Sequence, residues 1–451
     1  MAKTLSKTAK TKRTKGKQSP KKQPGAAAAA SGRFPTGLLW WGILSLFMAF
    51  AAFPILMNRL TEDLSLSSAH LAPLAVWCGT AILAFWFSRP RIFSGDRPFV
   101  VLTLFLFGLG IVEQLRLETF HATWHLWRAY APMLAGAAGF LFCLRFLKAH
   151  HFERLLALKP MEGMLWCAIM GVLGLLFCFG RSYRGGMFLP GQINPTELIK
   201  LLTVLLGATV LTRLNTSLSR TCCFLPMPPL TALIQLAFFW GAPLLGVVMV
   251  RDLGLVLILC LTYVTLLTVL TRNPLWLLFG LGGAAAAGFA VCSISAHTAT
   301  RFAIWQNPFT DPLGKGYQIL QSLCAMNAGG MTGTGLNQGM PGAVPIVTSD
   351  FVYAAIAEEW GLIGCALLFC LYTLWLQRIF RIGAQSERLP LKLTAAGIGA
   401  VLGVQIIFNV GGVTKALPMT GITLPFLSHG GFSLLTVFLL CGVAVALSKQ
   451  E

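Results

Sequence analysis

The sequence predicts an all-α membrane protein, a polytopic bundle of about twelve transmembrane helices, and three observations carry that expectation. Of 451 residues, 56% are hydrophobic and only 11% charged, where an ordinary soluble domain carries about a quarter charged. Mainly apolar runs of about 17 to 25 residues, enough to cross ~30 Å of hydrocarbon at ~1.5 Å per residue, recur along the chain. These runs lack the alternating pattern of barrel strands, and hydrocarbon offers no partner to an unpaired backbone group, so each must satisfy itself as a helix.

The chain opens on a basic tail, 1–36. Its first 33 residues hold ten Lys or Arg and no acid, about half of the net charge of +20. Such a tail alone could suggest nucleic acid. Ahead of membrane spans it reads instead as a disordered cytosolic arm drawn to anionic lipid, with Gly25 and Ala26 to Ala30 as linker and no nucleic-acid partner. A cleaved signal peptide is not expected, because the first apolar run starts at 37 and is long enough to span.

Twelve runs follow, at 37–58, 70–88, 98–115, 129–148, 162–180, 197–213, 229–250, 252–271, 274–293, 351–377, 392–412 and 430–447. Lys and Arg concentrate in alternate connections, as cytosolic loops require. They are Arg89, Arg91 and Arg97; Arg145, Lys148, Arg154 and Lys159; Arg213 and Arg220; Arg272; and Arg378, Arg381, Arg388 and Lys392. Both termini are therefore expected in the cytosol. Arg181, Arg184, Arg301, Lys315 and Lys415 break the alternation and call for a functional reason. The twelve cysteines lie mostly in apolar runs without paired spacing and read as small core residues. The seven histidines show no metal-ligand spacing.

Charges at membrane depth are expensive and mark sites by default; here they concentrate in the second half. Asn194-Pro195-Thr196 is a helix start, with Asn194 as cap and Pro195 in the first turn. Glu197 and Lys200, three apart, share a face and form either an internal ion pair or a lysine presented to phosphate. Asp252 lies in a turn, Arg251-Asp252-Leu253-Gly254, that needs no function but can line a site. The connection 294–350 is too long for a simple turn. It is also too apolar for a solvated coil, with Phe302, Ile304, Trp305, Phe309, Tyr317, Ile319, Leu320 and Leu323, so it is expected to fold on the membrane surface. Gly329, Gly330, Gly333, Gly335 and Gly339 allow tight turns or close backbone approach to a ligand. Beyond them stand Asp350 and the adjacent carboxylates Glu358 and Glu359, which must meet water, backbone donors or cations. The Pro/Gly-broken stretch 418–433 is expected to line a cavity, since irregular backbone at membrane depth is tolerated only against protein or water.

Together these segments resemble the SEDS family, the bacterial FtsW, RodA and SpoVE group of cell-wall glycan polymerases, from about Gly180 to Ser448. The resemblance rests on Asp311-Pro312-Leu313-Gly314-Lys315-Gly316-Tyr317-Gln318, the glycine series, Asp350-Phe351, Glu358-Glu359-Trp360-Gly361, and Pro418 to Ser433. Asn194 to Lys200 is similar to the family's Q-P-S-E-x-x-K, and Asp252-Leu253-Gly254 to its P-D-L-G. Around Arg184 the family's tryptophan is missing, Asn307 stands where an acid is common, and His429 where a tyrosine is. The resemblance implies a core of about ten spans, so 37–180 would hold extra spans and 181–451 the catalytic core, with 294–350 as a large extracytoplasmic loop.

It further implies a multi-pass protein of the bacterial inner membrane that polymerises lipid II in division or elongation. Asp311 would be the catalytic base, its pKa raised by partial desolvation beneath the folded loop; a turn cap is the plainer alternative. Arg184, Glu197, Lys200, Arg301, Lys315, Lys415 and Ser428 would bind substrate, with Asp252, Asp350, Glu358 and Glu359 as structural polar groups. No dedicated metal site is seen, though a divalent cation could assist departing pyrophosphate. Expected partners are lipid II, the undecaprenyl-linked glycan, membrane lipids and a class B penicillin-binding transpeptidase. A lipid flippase or a non-catalytic scaffold are the competing readings.

Overall fold

The computed structural model describes residues 41–42, 68–117, 126–183, 186–190, 193–218, 229–294 and 296–449. Helices α1 (Ser68–Phe87), α2 (Arg97–Arg116) and α3 (Leu126–Phe146) lead into a short α4 (Ala149–Leu156), bent by 100° from α3. After α5 (Met161–Phe179) comes a feature the all-α expectation omitted, an antiparallel hairpin of β1 (Arg181–Tyr183) and β2 (Gly186–Phe188). Helices α6 (Thr196–Leu218), α7 (Leu230–Met249), α8 (Leu253–Thr271) and α9 (Leu275–Ile294) follow. The connection 294–350 is folded, with α10 (Ala296–Gln306), α11 (Tyr317–Gly329) and two short 3-10 turns. Helices α12 (Val352–Gln385), α13 (Leu389–Val413) and α14 (Gly431–Ser448) complete the bundle.

Helices thus occupy every expected run except 37–58, which lies outside the described residues apart from Trp41 and Gly42. Among the described residues, seven helices are long and apolar enough to cross a membrane: α2, α5, α7, α8, α12, α13 and α14. The bent pair α3 and α4 makes an eighth if taken as one span. Pro243 lacks the N–H that would continue the ladder of α7, and the helix accommodates it with a π turn at Ala237–Gly241.

Two large apolar clusters hold the bundle, and a small third packs α11 against α12 and the end of α13. One joins α1, α2, α3, α12, α13 and α14, with the rings of Phe107, Trp375, Phe426 and Phe438 in contact at its centre. The other joins α5 to α8. Large apolar side chains on the outer faces, such as Ile82, Phe177, Leu245 and Leu278, are each 66% exposed, as lipid-facing positions must be. The expectation that the cysteines are core residues is corrected here. Cys143, Cys365 and Cys441 are buried, but Cys78, Cys167, Cys178 and Cys370 are exposed on outer helix faces, where hydrocarbon accepts a thiol as readily as a core does.

One end of the bundle gathers the cations assigned to the cytosol. Arg213 pairs with Glu162 at 2.5 Å, Arg378 with Asp96 at 3.7 Å, and Arg388 with Glu153. Lys449 donates to the carbonyls of Cys143, Leu144 and Leu147 at 2.9, 2.7 and 2.5 Å. A cation there satisfies acceptors that the end of α3 leaves open.

Candidate active site

At the opposite end the polar residues converge, starting from the first turn of α6. Asn194 Oδ1 accepts from the Thr196 amide at 3.2 Å and lies 2.5 Å from the Thr196 hydroxyl, which in turn lies 3.2 Å from Asp252. Asp252 caps α8 by accepting from the Leu255 amide at 3.0 Å. One turn into α6, buried Lys200 pairs with Glu197 at 2.7 Å and donates to Gln405 at 3.3 Å. Gln405 donates to the carbonyl and hydroxyl of Thr423, whose hydroxyl meets Ser433 at 2.7 Å. A polar thread therefore crosses from the cap of α8 to the first turn of α14.

A second set adjoins it. Arg301 on α10 is half-buried and faces the carboxylates of Asp350 and Asp252. Burial pulls its guanidinium below the ordinary value, and the two acids oppose that. Burial likewise raises Asp252, opposed first by the Leu255 amide. Asp350 accepts from Ser349 Oγ at 2.6 Å, and Ser428 Oγ donates to the Ser349 carbonyl at 2.5 Å. Asn409 donates to the carbonyls of Asp350 and Ile422 at 3.0 and 2.7 Å. Segment 348–350 is in this way bonded along the broken stretch 418–433. That stretch was expected to line a cavity, and Phe426 and Ser428 to Gly431 do line a small cleft; Ile422 and Leu424 to Ser428 are otherwise buried against protein, and Tyr372 donates to the Pro425 carbonyl at 2.6 Å. Gln114, Met133 and Leu434 complete the walls of that cleft.

The motif that carries Asp311 is displayed at a tip. Ile304, Pro308 and Ile319 are buried and anchor both flanks, whereas Phe309 and Leu313 are 71% and 89% exposed. Asp311 accepts from the Lys315 amide at 2.9 Å, as a turn cap would. Its side chain is exposed, so the desolvation expected beneath a roof is not supplied by the protein fold. Lys315 is exposed beside it. Lys415, two residues beyond α13, has a left-handed conformation (φ 62°), its carbonyl accepting from Trp305 of α10 at 3.1 Å. Arg184 falls between β1 and β2 in sequence and lies outside the described residues.

Glu358 and Glu359 sit beside a break in α12. Gly361 there has φ 64° and ψ −170°, which frees backbone groups on both sides. The glycine-rich segment fills the gap. Thr334 and Gly335 amides donate to the carbonyls of Glu358 and Glu359 at 3.0 and 3.1 Å, and the amides of Leu362 and Ile363 donate to Gly330 and Met331 at 2.9 and 3.1 Å. The close approach expected of these glycines is to this helix. Both carboxylates are buried, accepting from the Met340 and Gly339 amides at 2.9 and 3.1 Å.

The sequence reading placed the buried charges in the second half and missed two. Arg116 of α2 bridges Glu359 at 2.6 Å and Glu113 at 3.3 Å, and all three side chains are almost fully buried. Their spacing of three at the end of an apolar run was the available signal. Gln405 and Asn409, four apart on one face of an apolar helix, were missed as well.

A sequence model of the FtsW/RodA/SpoVE family, described as cell cycle proteins, matches residues 97–451. The chain belongs to that family. Among FtsW/RodA/SpoVE relatives it is 33% identical over 320 residues to the peptidoglycan glycosyltransferase RodA of Mycobacterium tuberculosis, covering 70% of this chain and 68% of that one. It is 39% identical over 167 residues to stage V sporulation protein E of Bacillus subtilis, covering 36% and 46% of the two chains. The fold is similar to that of Thermus thermophilus RodA, with a TM-score of 0.55, 24% identity, and 80% and 100% of the two chains covered. It is also similar to a chain from a peptidoglycan synthase complex that coordinates polymerization and crosslinking, with a TM-score of 0.62, 24% identity, and 79% and 98% covered. The family region begins at the start of α2, so α1 precedes it.

Proposed function

We propose that this FtsW/RodA/SpoVE member is a peptidoglycan polymerase that transfers the lipid-linked growing glycan onto the 4-hydroxyl of lipid II and releases undecaprenyl pyrophosphate. The observation that carries the reading is the exposed Asp311 carboxylate, presented on the same folded connection as the half-buried Arg301. As the acceptor hydroxyl attacks the anomeric carbon, Asp311 takes its proton while the bond to pyrophosphate breaks. Bound sugar would supply the desolvation that the fold alone does not.

The leaving pyrophosphate needs cations. Arg301 makes no ion pair among the described residues, and its planar fork suits phosphate. Lys200 is already neutralised by Glu197 and held by Gln405, so it serves better in tying α6 to α13. Lys415, Lys315 and Arg184 are further candidates, and Ser428 acts by fixing Ser349 beside Asp350. The described residues contain no group of three His, Cys, Asp or Glu able to hold a metal ion.

In this reading the protein lies in the bacterial inner membrane with both termini cytosolic, about twelve spans, and 294–350 outside. The cations gathered at one end of the bundle support that orientation. A class B penicillin-binding transpeptidase is the proposed partner, supported by the likeness to a chain from a polymerization and crosslinking complex. The test is purified protein, alone and with its transpeptidase, incubated with labelled lipid II and resolved on a gel. Wild type is expected to make polymer and Asp311→Asn none, with folding and lipid binding intact; polymer from the variant at near wild-type rate removes Asp311 as base. The polar thread from Asp252 to Ser433 also suits passage of a lipid headgroup, and headgroup movement across vesicles without glycan synthesis would favour the flippase reading.

A further inference from the structure

The last turn of α2 lies outside every motif singled out above, yet it holds three separate parts of the site. Gln114 Nε2 donates to the Thr348 carbonyl at 2.9 Å and to the Leu427 carbonyl at 2.7 Å. The Thr348 carbonyl also accepts from the His429 amide at 2.7 Å. Arg116 reaches a different element, meeting Glu359 at 2.6 Å beside the break in α12. Glu359 in turn holds the Gly339 amide with its carboxylate and the Gly335 amide with its carbonyl. Closer still, α2 runs against the backbone of Phe426, leaving no space for a side chain at Gly110.

We propose that Gln114 and Arg116 are positioning residues, forming a staple that fixes segments 334–340 and 348–350 and the stretch 424–429 relative to one another. The inference rests on the polymerase reading but concerns how its site is assembled. Thr348 is two residues from Asp350, which faces Arg301, and Leu427 adjoins Ser428, which holds Ser349. Neither Gln114 nor Arg116 touches the reacting atoms. They act by setting where the backbone carrying Ser349 and Asp350 stands, and small misplacements of such groups cost rate rather than affinity.

Physical chemistry separates the two contributions. Gln114 is itself neutral, and Gln114→Leu removes the bonds it donates to Thr348 and Leu427. Arg116 is flanked by Glu113 and Glu359, so its removal would strand buried carboxylates and endanger folding. Arg116→Lys keeps the charge and loses the fork that serves two acids at once.

The experiment uses the full-length chain in detergent or nanodiscs with its transpeptidase. Polymerisation kinetics on labelled lipid II are read beside hydrogen exchange of the amides of Thr334, Gly335, Gly339, Met340 and His429. For both variants kcat is expected to fall about tenfold or more while KM stays within about twofold. Exchange should quicken at 334–340 in Arg116→Lys and at 429 in Gln114→Leu, with the transmembrane helices as protected as in wild type. Wild-type kcat with unchanged exchange in both variants overturns the proposal. So does loss of protection throughout the bundle in step with activity, since that marks a general folding role. Absence of polymer from the wild-type chain itself would count against the polymerase reading, and the exchange measurement would still decide the staple.

Discussion

Asp252 carries two duties that pull in opposite directions. Its carboxylate caps α8 through the Leu255 amide, and it stands half-buried among Thr196, Glu197, Lys200 and Arg301. Burial raises its pKa above the usual 3.8, so the fold favours the protonated acid more than the unfolded chain does. That contribution is complete below the unfolded pKa and is lost as pH rises through the raised folded value. Asp252→Asn keeps a good cap and cannot ionise. Its melting temperature in detergent should match wild type near about pH 3 and exceed it near about pH 7; a variant less stable than wild type at neutral pH would show that the charge is held favourably. At this scale the ion pair of Glu197 and Lys200 was legible because its spacing is local. Gln405 and Asn409 were not, because an amide in an apolar helix does not announce which carbonyl across the bundle it will meet.

Helix α12 shows an element whose length misleads. Its run reads as one span, yet Gly361 divides it, and the segment 330–335 supplies the hydrogen bonds lost at the break. A side chain is excluded at two points. Gly361 is left-handed, and an added Cβ would lie 2.3 Å from the Gly333 nitrogen; one at Gly333 would lie 1.9 Å from the Glu359 carbonyl oxygen. Gly361→Ala and Gly333→Ala should each cost about 2 kcal/mol or more, seen as a lowered melting temperature. Gly342→Ala, with open space around its Cβ and no positive φ, should stay within about 0.5 kcal/mol of wild type. Equal effects at all three positions would refute the inserted-segment account. The glycine series was visible in the sequence, but its target was not, since a glycine states only that something comes close.

The whole molecule divides into a basic end, a lipid-facing belt and a polar end. α1, outside the family region, is tied into the bundle by Trp77, buried and donating to the Leu104 carbonyl of α2 at 2.9 Å. The basic tail, by contrast, belongs to no span in the sequence. Deletion of residues 1–33 should leave polymerase activity on lipid II close to wild type while altering localisation or yield; a loss of activity in purified protein would give the tail a catalytic role. Composition and the spacing of apolar runs determined by themselves that this chain is a helical membrane protein, because hydrocarbon imposes one backbone solution on any long apolar segment. Local motifs determined its family. Only the tertiary structure decided that Asp311 stands exposed, that Glu113, Arg116 and Glu359 meet, and that a glycine-rich segment fills a broken helix. Those are contacts between segments far apart in the chain, and partners of that kind are chosen by packing, which no single stretch of sequence contains.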